Sequence, residues 1–303
     1  MTARVLDGRP VASHLWRELG DRAAAVHAKT GAAPRLAIVR FSAEGPAGVY
    51  ALSLARAAHG VGIETLWVDP PEGVTAVDLE ARIGALNRDA DVAGIVVTQP
   101  LPDHLDLART LELIDPSKDV DGATAQSAGL LARGAPTFAP ATALAILEIL
   151  RAYEIPISGR RAVVIGRSAV VGRPVAALLL AADATVIVCH RRTRNLARET
   201  RRAELLVVAA GSPGLVRAEM VNRSCVVIDA GINVSPDGVV GDVDFNAVRP
   251  VVAGITPVPG GVGPVTTMML LHQTLISAER AAAVRPPELD RFRTPVPAEV
   301  AGG

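Results

Sequence analysis

The chain has 303 residues, of which 50% are hydrophobic and 3% aromatic, and its 31 Lys and Arg balance 31 Asp and Glu. That length allows two domains or one large α/β domain. Zero net charge with no cationic block argues against a nucleic-acid or acidic-membrane partner. Only Lys29 and Lys118 supply amines, so a neutral amine base must come from one of those two. Cys189 and Cys225 sit inside apolar runs and read as small core residues, with no disulfide framework. No signal peptide opens the chain, and the longest apolar run, 175–189, is broken by Asp183 and too short to span a bilayer. A soluble, cytoplasmic protein is expected.

In chain order, "RLAIVRF" (35–41) reads as a strand, 47–60 as a helix, "ETLWVD" (64–69) as a strand and 77–90 as a helix. "VAGIVVTQP" (92–100) is a third strand, and a loop through "DPSKDVDGATAQSAG" leads to Pro140 and a helix over 142–153. A second set follows: strand 161–166, helix 172–182, strand 185–190, strand 204–211, strand 225–233 and a helix from about 264 to 283. Alternating strands and helices predict α/β architecture with parallel sheets, in two lobes split near 140.

The stretch "VVIGRSAVVGRPVAALLLAADATVIVCHRRTRN" (163–195) reads as strand, glycine turn, helix, strand. Gly166, Arg167 and Ser168, followed by Gly172, depart from the usual G-x-G-x-x-G spacing, so the motif alone is also compatible with a plain βαβ unit. The next strand ends in His190, Arg191, Arg192, Thr193 and Arg194, where an NAD-binding unit would place an acid for the ribose. Those cations, with Arg167, suit a 2′-phosphate or form a solvated turn. NADP is favoured over NAD, with the pyrophosphate at the helix N-terminus.

"ITPVPGGVGPVTTMMLLHQT" (255–274), "VIDAGIN" (227–233), "PSKDVDG" (116–122), "GRSAVVGRP" (166–174) and "ARVLDGRPVA" (3–12) together resemble the methylenetetrahydrofolate dehydrogenase/cyclohydrolase family. The resemblance runs over roughly residues 1–280. It implies two α/β lobes around a cleft, the second a Rossmann-type domain. The folate/catalytic domain would be 1–140 plus about 268–285, the NAD(P)-binding domain 141–267, and 286–303 a disordered tail. It further implies a homodimer in one-carbon metabolism that oxidises 5,10-methylenetetrahydrofolate to the methenyl form with NADP, NAD being the lesser choice. In many members hydrolysis to 10-formyltetrahydrofolate follows. No metal is called for.

By the same resemblance Gly166, Arg167, Ser168, His190, Arg191, Arg192, Thr193, Ile232 and Thr142 would contact the cofactor. Tyr50, Asp121, Gly260, Gly261 and Pro264 would contact the folate, with Tyr50 and Asp121 as the catalytic candidates. A carboxylate at 121 matches the adjacent amino and ring N–H donors of a pterin. The family's Tyr-x-x-x-Lys places Leu54 where the lysine is expected, and its glutamine falls on Thr98, with Gln99 one place along as a possible substitute. Within a strand that offset turns the side chain to the other face.

Hydride transfer moves no proton, whereas hydrolysis of the methenyl cation needs an acid–base group. The expectation is therefore an NADP-dependent dehydrogenase with its cyclohydrolase activity lost or weakened. The alternatives are a bifunctional enzyme, a non-catalytic NADP/folate-binding paralogue, and a dehydrogenase of changed substrate.

Overall fold

A computed structural model of the chain describes residues 3–236 and 238–284. The tail expected to be disordered, 286–303, lies outside the described residues. The elements in order are β1 (Arg4–Val5), α1 (Gly8–Thr30), β2 (Arg35–Val39), α2 (Gly45–Gly60), β3 (Glu64–Val68), α3 (Ala76–Arg88), β4 (Val92–Val97), α4 (Leu107–Leu111), α5 (Ala125–Ala132) and α6 (Ala141–Ala152). Then come β5 (Arg161–Ile165), α7 (Gly172–Ala181), β6 (Thr185–Cys189), α8 (Leu196–Thr200), β7 (Leu205–Val208) and β8 (Val226–Asp229). The hairpin β9 (Asn233–Ser235) and β10 (Gly238–Val240), α9 (Phe245–Val248), β11 (Gly254–Ile255) and α10 (Val262–Ala282) follow among the described residues.

The chain divides into two compact units. The first comprises residues through His14 together with Ala141–Thr266, and the second comprises Leu15–Pro140 and the residues from Thr267. The second unit holds a three-stranded parallel sheet in the order β3-β2-β4. β4 is buried at every position and β2 at four of five, which is why both read as continuous apolar runs with no alternation. Ala37, Val39, Ile95 and Val97 pack with Leu79, Ile83 and Leu86 of α3. Thr75 caps α3 by accepting from the Asp78 N–H.

The first unit holds a six-stranded parallel sheet in the order β1-β11-β8-β7-β5-β6, plus the antiparallel pair β9–β10. Val163, Ile165, Leu206, Val208 and Val227 form its core with Cys189 and Cys225, and both thiols are free. Ten of the twelve residues of α6 are buried, so its one acidic side chain, Glu148, is paired with Arg151 in the next turn.

Residues 3–14 group by contacts with the later unit, because β1 extends that sheet by pairing with β11, Arg4 opposite Gly254 and Val5 opposite Ile255. One expectation needs correction. The runs 204–211 and 225–233 give shorter strands, since the backbone beyond Val208 and Asp229 leaves the ladder to bond carboxylates. α1 was unread, although Leu15, Leu19, Ala23 and Val26 recur at helical spacing and are all buried.

Within the second unit Arg22 of α1 makes a two-pronged ion pair with Glu279 of α10, both bonds 2.8 Å, and also meets His272 Nδ1 at 2.6 Å. Both partners are largely buried, so removing Glu279 leaves the Arg22 charge only its looser contact with Glu18 at 3.5 Å. Glu279→Ala is expected to destabilise this unit by about 3–5 kcal/mol, read as a lowered urea midpoint.

Candidate active site

β5 ends at Ile165 and the chain reverses through Gly166, whose φ is +121°. A Cβ there would lie 2.1 Å from the Ala209 carbonyl oxygen, and one on Gly172 would lie 2.3 Å from that of Gly166. The turn is thus as close to its neighbours as backbone permits, and only glycine fits. The Ser168 hydroxyl accepts from the N–H groups of Val171 at 3.1 Å and Gly172 at 3.4 Å, bracing the turn that leads into α7. Its own proton remains to be donated. Gly166 N–H bonds the Cys189 carbonyl at 2.9 Å, so this turn lies beside the end of β6. There His190 N–H donates to Thr193 Oγ1 at 2.8 Å, and Arg192 N–H to His190 Nδ1 at 3.2 Å. With the Thr193 N–H also bonded to the His190 carbonyl at 2.7 Å, the turn is closed without its arginines, and Arg191 and Arg192 are exposed, as Arg167 is. Backbone cradle, helix N-terminus and adjacent cations fit a phosphorylated dinucleotide. Thr142 is half-buried at the start of α6, and Ile232, after β8, is 70% exposed.

Two carboxylates that sequence reasoning missed hold the loops beyond β7 and β8. Asp242, fully buried, accepts from the N–H groups of Ala210, Gly211 and Ser212 at 2.6–2.9 Å and from Asn233 Nδ2 at 2.9 Å. Asp229 accepts from the N–H groups of Gly231, Asp242 and Val243. The glycines interlock with them: a Cβ on Gly231 would strike the Asp242 carboxyl, and one on Gly241 would strike that of Asp229. Burial, opposed by the three N–H bonds and aided by the Asp242 charge, pushes Asp229 up to about 6. The available signal was two acids each beside a glycine, Asp229-Ala230-Gly231 and Gly241-Asp242.

Still in the first unit, Gly260 has φ +104° and accepts from the Gly8 N–H at 2.8 Å. A Cβ on Gly8 would sit 1.8 Å from the Gly261 carbonyl oxygen, so the start of α1 is seated directly on this loop. Gly261 is buried and Pro264 half-buried in the first turn of α10.

In the second unit Tyr50 and Leu54, one turn apart on α2, differ sharply: Tyr50 is 41% exposed and Leu54 1%. Burial of the phenol end, and then the charge of Asp121, raise the Tyr50 pKa, so these two residues approach each other. Thr98 is buried and its hydroxyl donates to the Val39 carbonyl at 3.3 Å, while Gln99 is exposed. Neither lysine is at liberty. Lys118 Nζ donates to the Leu86 and Asp89 carbonyls, and desolvation lowers its pKa; Lys29 Nζ donates to the Ala283 carbonyl.

The loop carrying Asp121 is organised by Asp119, also unread in the sequence. Its fully buried carboxylate accepts from the N–H groups of Ala123 and Thr124 and from the hydroxyls of Thr124 and Ser127, at 2.6–3.0 Å. Gly122, at φ +60°, abuts the Ala139 backbone, where a Cβ would approach to 2.6 Å.

Two outcomes follow. Because the folded pKa of Asp229 exceeds the unfolded 3.8, its stabilising contribution is full below about pH 4 and is lost as pH rises through about 6. Melting curves from pH 7 to 5 are expected to show wild type gaining stability relative to Asp229→Asn. Gly166→Ala is expected to weaken NADP⁺ binding at least tenfold, an effect of about 1.4 kcal/mol or more, as read by calorimetry.

Residues 6–121 match the family model for the tetrahydrofolate dehydrogenase/cyclohydrolase catalytic domain, and 140–282 match that for its NAD(P)-binding domain. The chain is 45% identical over 281 residues to the bifunctional protein FolD of Bordetella avium, covering 92% of this chain and 99% of that one. Among solved structures, the bifunctional FolD of Campylobacter jejuni superposes with a TM-score of 0.89 at 42% identity, over 92% of this chain and 99% of the other. The FolD of Trypanosoma brucei, solved with NADP cofactor and an inhibitor, gives 0.88 at 38% identity, over 94% and 100%. With both domain models matched in order along one chain, this protein belongs to the tetrahydrofolate dehydrogenase/cyclohydrolase family.

Proposed function

We propose that this chain oxidises 5,10-methylenetetrahydrofolate to 5,10-methenyltetrahydrofolate with NADP⁺. The observation that carries the reading is the retention, in a chain of this family, of both a glycine-turn nucleotide seat and the Tyr50–Asp121 pair. When bound, NADP⁺ supplies the hydride acceptor. Gly166 and Ser168 hold its pyrophosphate against α7, and Arg167, Arg191 and Arg192 neutralise the 2′-phosphate. Asp121 accepts from the 2-amino group and ring N–H of the pterin, and Tyr50 lies along its flank. Gly260 and Gly261 bring bare backbone to the substrate, where a side chain would hold the reactants apart. The product cation is resonance-stabilised and no proton moves, so the protein's work in this step is alignment.

Hydrolysis of that product is a different demand. Water must lose a proton and a ring nitrogen must gain one, which requires a group that titrates near neutrality. Leu54 offers no polar atom, and the Thr98 hydroxyl is committed to Val39. Both lysines are engaged with carbonyls elsewhere. This reading therefore gives a dehydrogenase that releases the methenyl product, its hydrolysis slower by about 10²–10⁴-fold than with an acid–base group in place. A second reading, a bifunctional enzyme, is favoured by the names of the relatives, which are described as bifunctional.

The discriminating experiment follows NADPH and methenyltetrahydrofolate separately in a non-nucleophilic buffer. NADPH with accumulating methenyl product supports the first reading, and NADPH with prompt loss of the methenyl signal supports the second. No NADPH from protein that binds NADP⁺ rejects both, in favour of a binding protein or another substrate. In the folded double variant Leu54→Lys/Thr98→Gln, methenyl hydrolysis is expected to rise at least tenfold; no rise would remove the chemical basis of the first reading.

A further inference from the structure

Resting on the reading above, in which Asp121 binds the pterin, we propose that Gln273 is the positioning residue for that aspartate and sets affinity for the folate. Gln273 lies on α10 and is buried within the second unit. Its Nε2 donates to the Val120 carbonyl at 2.7 Å and to the Ala139 carbonyl at 2.8 Å, and its Oε1 accepts from the Ala139 N–H at 2.9 Å. The amide orientation is forced: turned over, its oxygen would face two carbonyl oxygens and its NH₂ an N–H.

The Val120 carbonyl belongs to the peptide that leads into Asp121. On the other side of Asp121, Gly122 is pressed against the backbone of Ala139, the same residue that Gln273 grips at both its N–H and its carbonyl. Asp121 thus lies between two points that both bear on Gln273. The Asp119 carboxylate fixes the later part of the loop, at 123–127, and its carbonyl accepts from the Gly122 N–H at 2.9 Å, while the Val120 carbonyl is held by Gln273. Ser277, one turn further along α10, donates to the Ser117 carbonyl at 2.9 Å and holds the start of the same loop. Gln273 touches neither Tyr50 nor Asp121 among these contacts, so it acts through the backbone.

The test compares wild type, Gln273→Met and Gln273→Asn. It measures KM for methylenetetrahydrofolate, kcat, Kd for tetrahydrofolate by calorimetry, and Kd for NADP⁺. Gln273→Met keeps the length and removes all three hydrogen bonds. It is expected to raise the folate KM and the tetrahydrofolate Kd at least tenfold, with kcat and the NADP⁺ Kd within twofold of wild type. Gln273→Asn keeps the amide on a shorter arm and is expected to fall between. A structural role alone would lower kcat through the folded fraction and leave KM in place, and that result overturns the proposal.

If Gln273→Met does not fold, Gln273→Asn decides: a KM raised threefold or more at constant kcat supports the proposal, and an unchanged KM overturns it. Failure of both to fold also overturns it, since Gln273 would then hold the unit and not the site. Wild type that binds tetrahydrofolate without making NADPH overturns the proposed function alone, and the Kd series still decides this point. Wild type that binds no tetrahydrofolate overturns both.

Discussion

A parallel sheet satisfies its backbone only as far as the strands run, and the rest of this structure depends on what happens at their carboxyl ends. In the loops around those ends the amides of Ala210, Gly211, Ser212, Gly231 and Val243 lie off the ladder, and Asp242 and Asp229 accept them instead. An unpaired buried amide costs on the order of 1–3 kcal/mol, so a carboxylate that takes four donors, as Asp242 does, carries more of the loop's order than any side chain on its surface. The second unit solves the same problem with Asp119. In both units most residues expected to touch ligands are exposed or half-buried, Gly261 being the buried exception, and buried acids bonded to backbone hold the loops beside them.

That division explains what could be read from the sequence. The core strands announce themselves as Val, Ile, Leu and Ala runs, because burial on both faces removes the need for polar alternation. The glycine turn at 166–172 and the cationic end of β6 were legible as motifs, since local spacing determines them. Gln273 and Asp242 were not, because their backbone partners are ones that only the fold brings near, 153 residues away in the case of Gln273 and Val120; Asp119 was not, although its partners lie only four to eight residues on, because an aspartate in a turn-rich loop carries no pattern that marks it. The short β1 carries too few residues to show a period, and its membership in the later unit depends on β11, another two-residue strand.

Tyr50 and Leu54 show how one helical face can serve two ends. The tyrosine lies toward the open end of α2, near an acidic charge, while its neighbour one turn on is embedded in apolar packing. A lysine at the second position would need its ammonium to escape that packing, at the cost of stem entropy and desolvation. Leucine relieves the cost and surrenders the proton chemistry. The exchange is favourable to the fold whatever its effect on turnover.

The chain order of the two units has a consequence for biosynthesis. The strands β2, β3 and β4 are complete once residue 97 has been made, so the smaller sheet can pair early. The peptide before Asp121 waits for Gln273, and β1 waits for Gly254 and Ile255. A growing chain therefore holds β1 unpaired until residue 255 has emerged, and a nascent chain stopped short of α10 has its smaller sheet but lacks the Gln273 bond to the loop before Asp121.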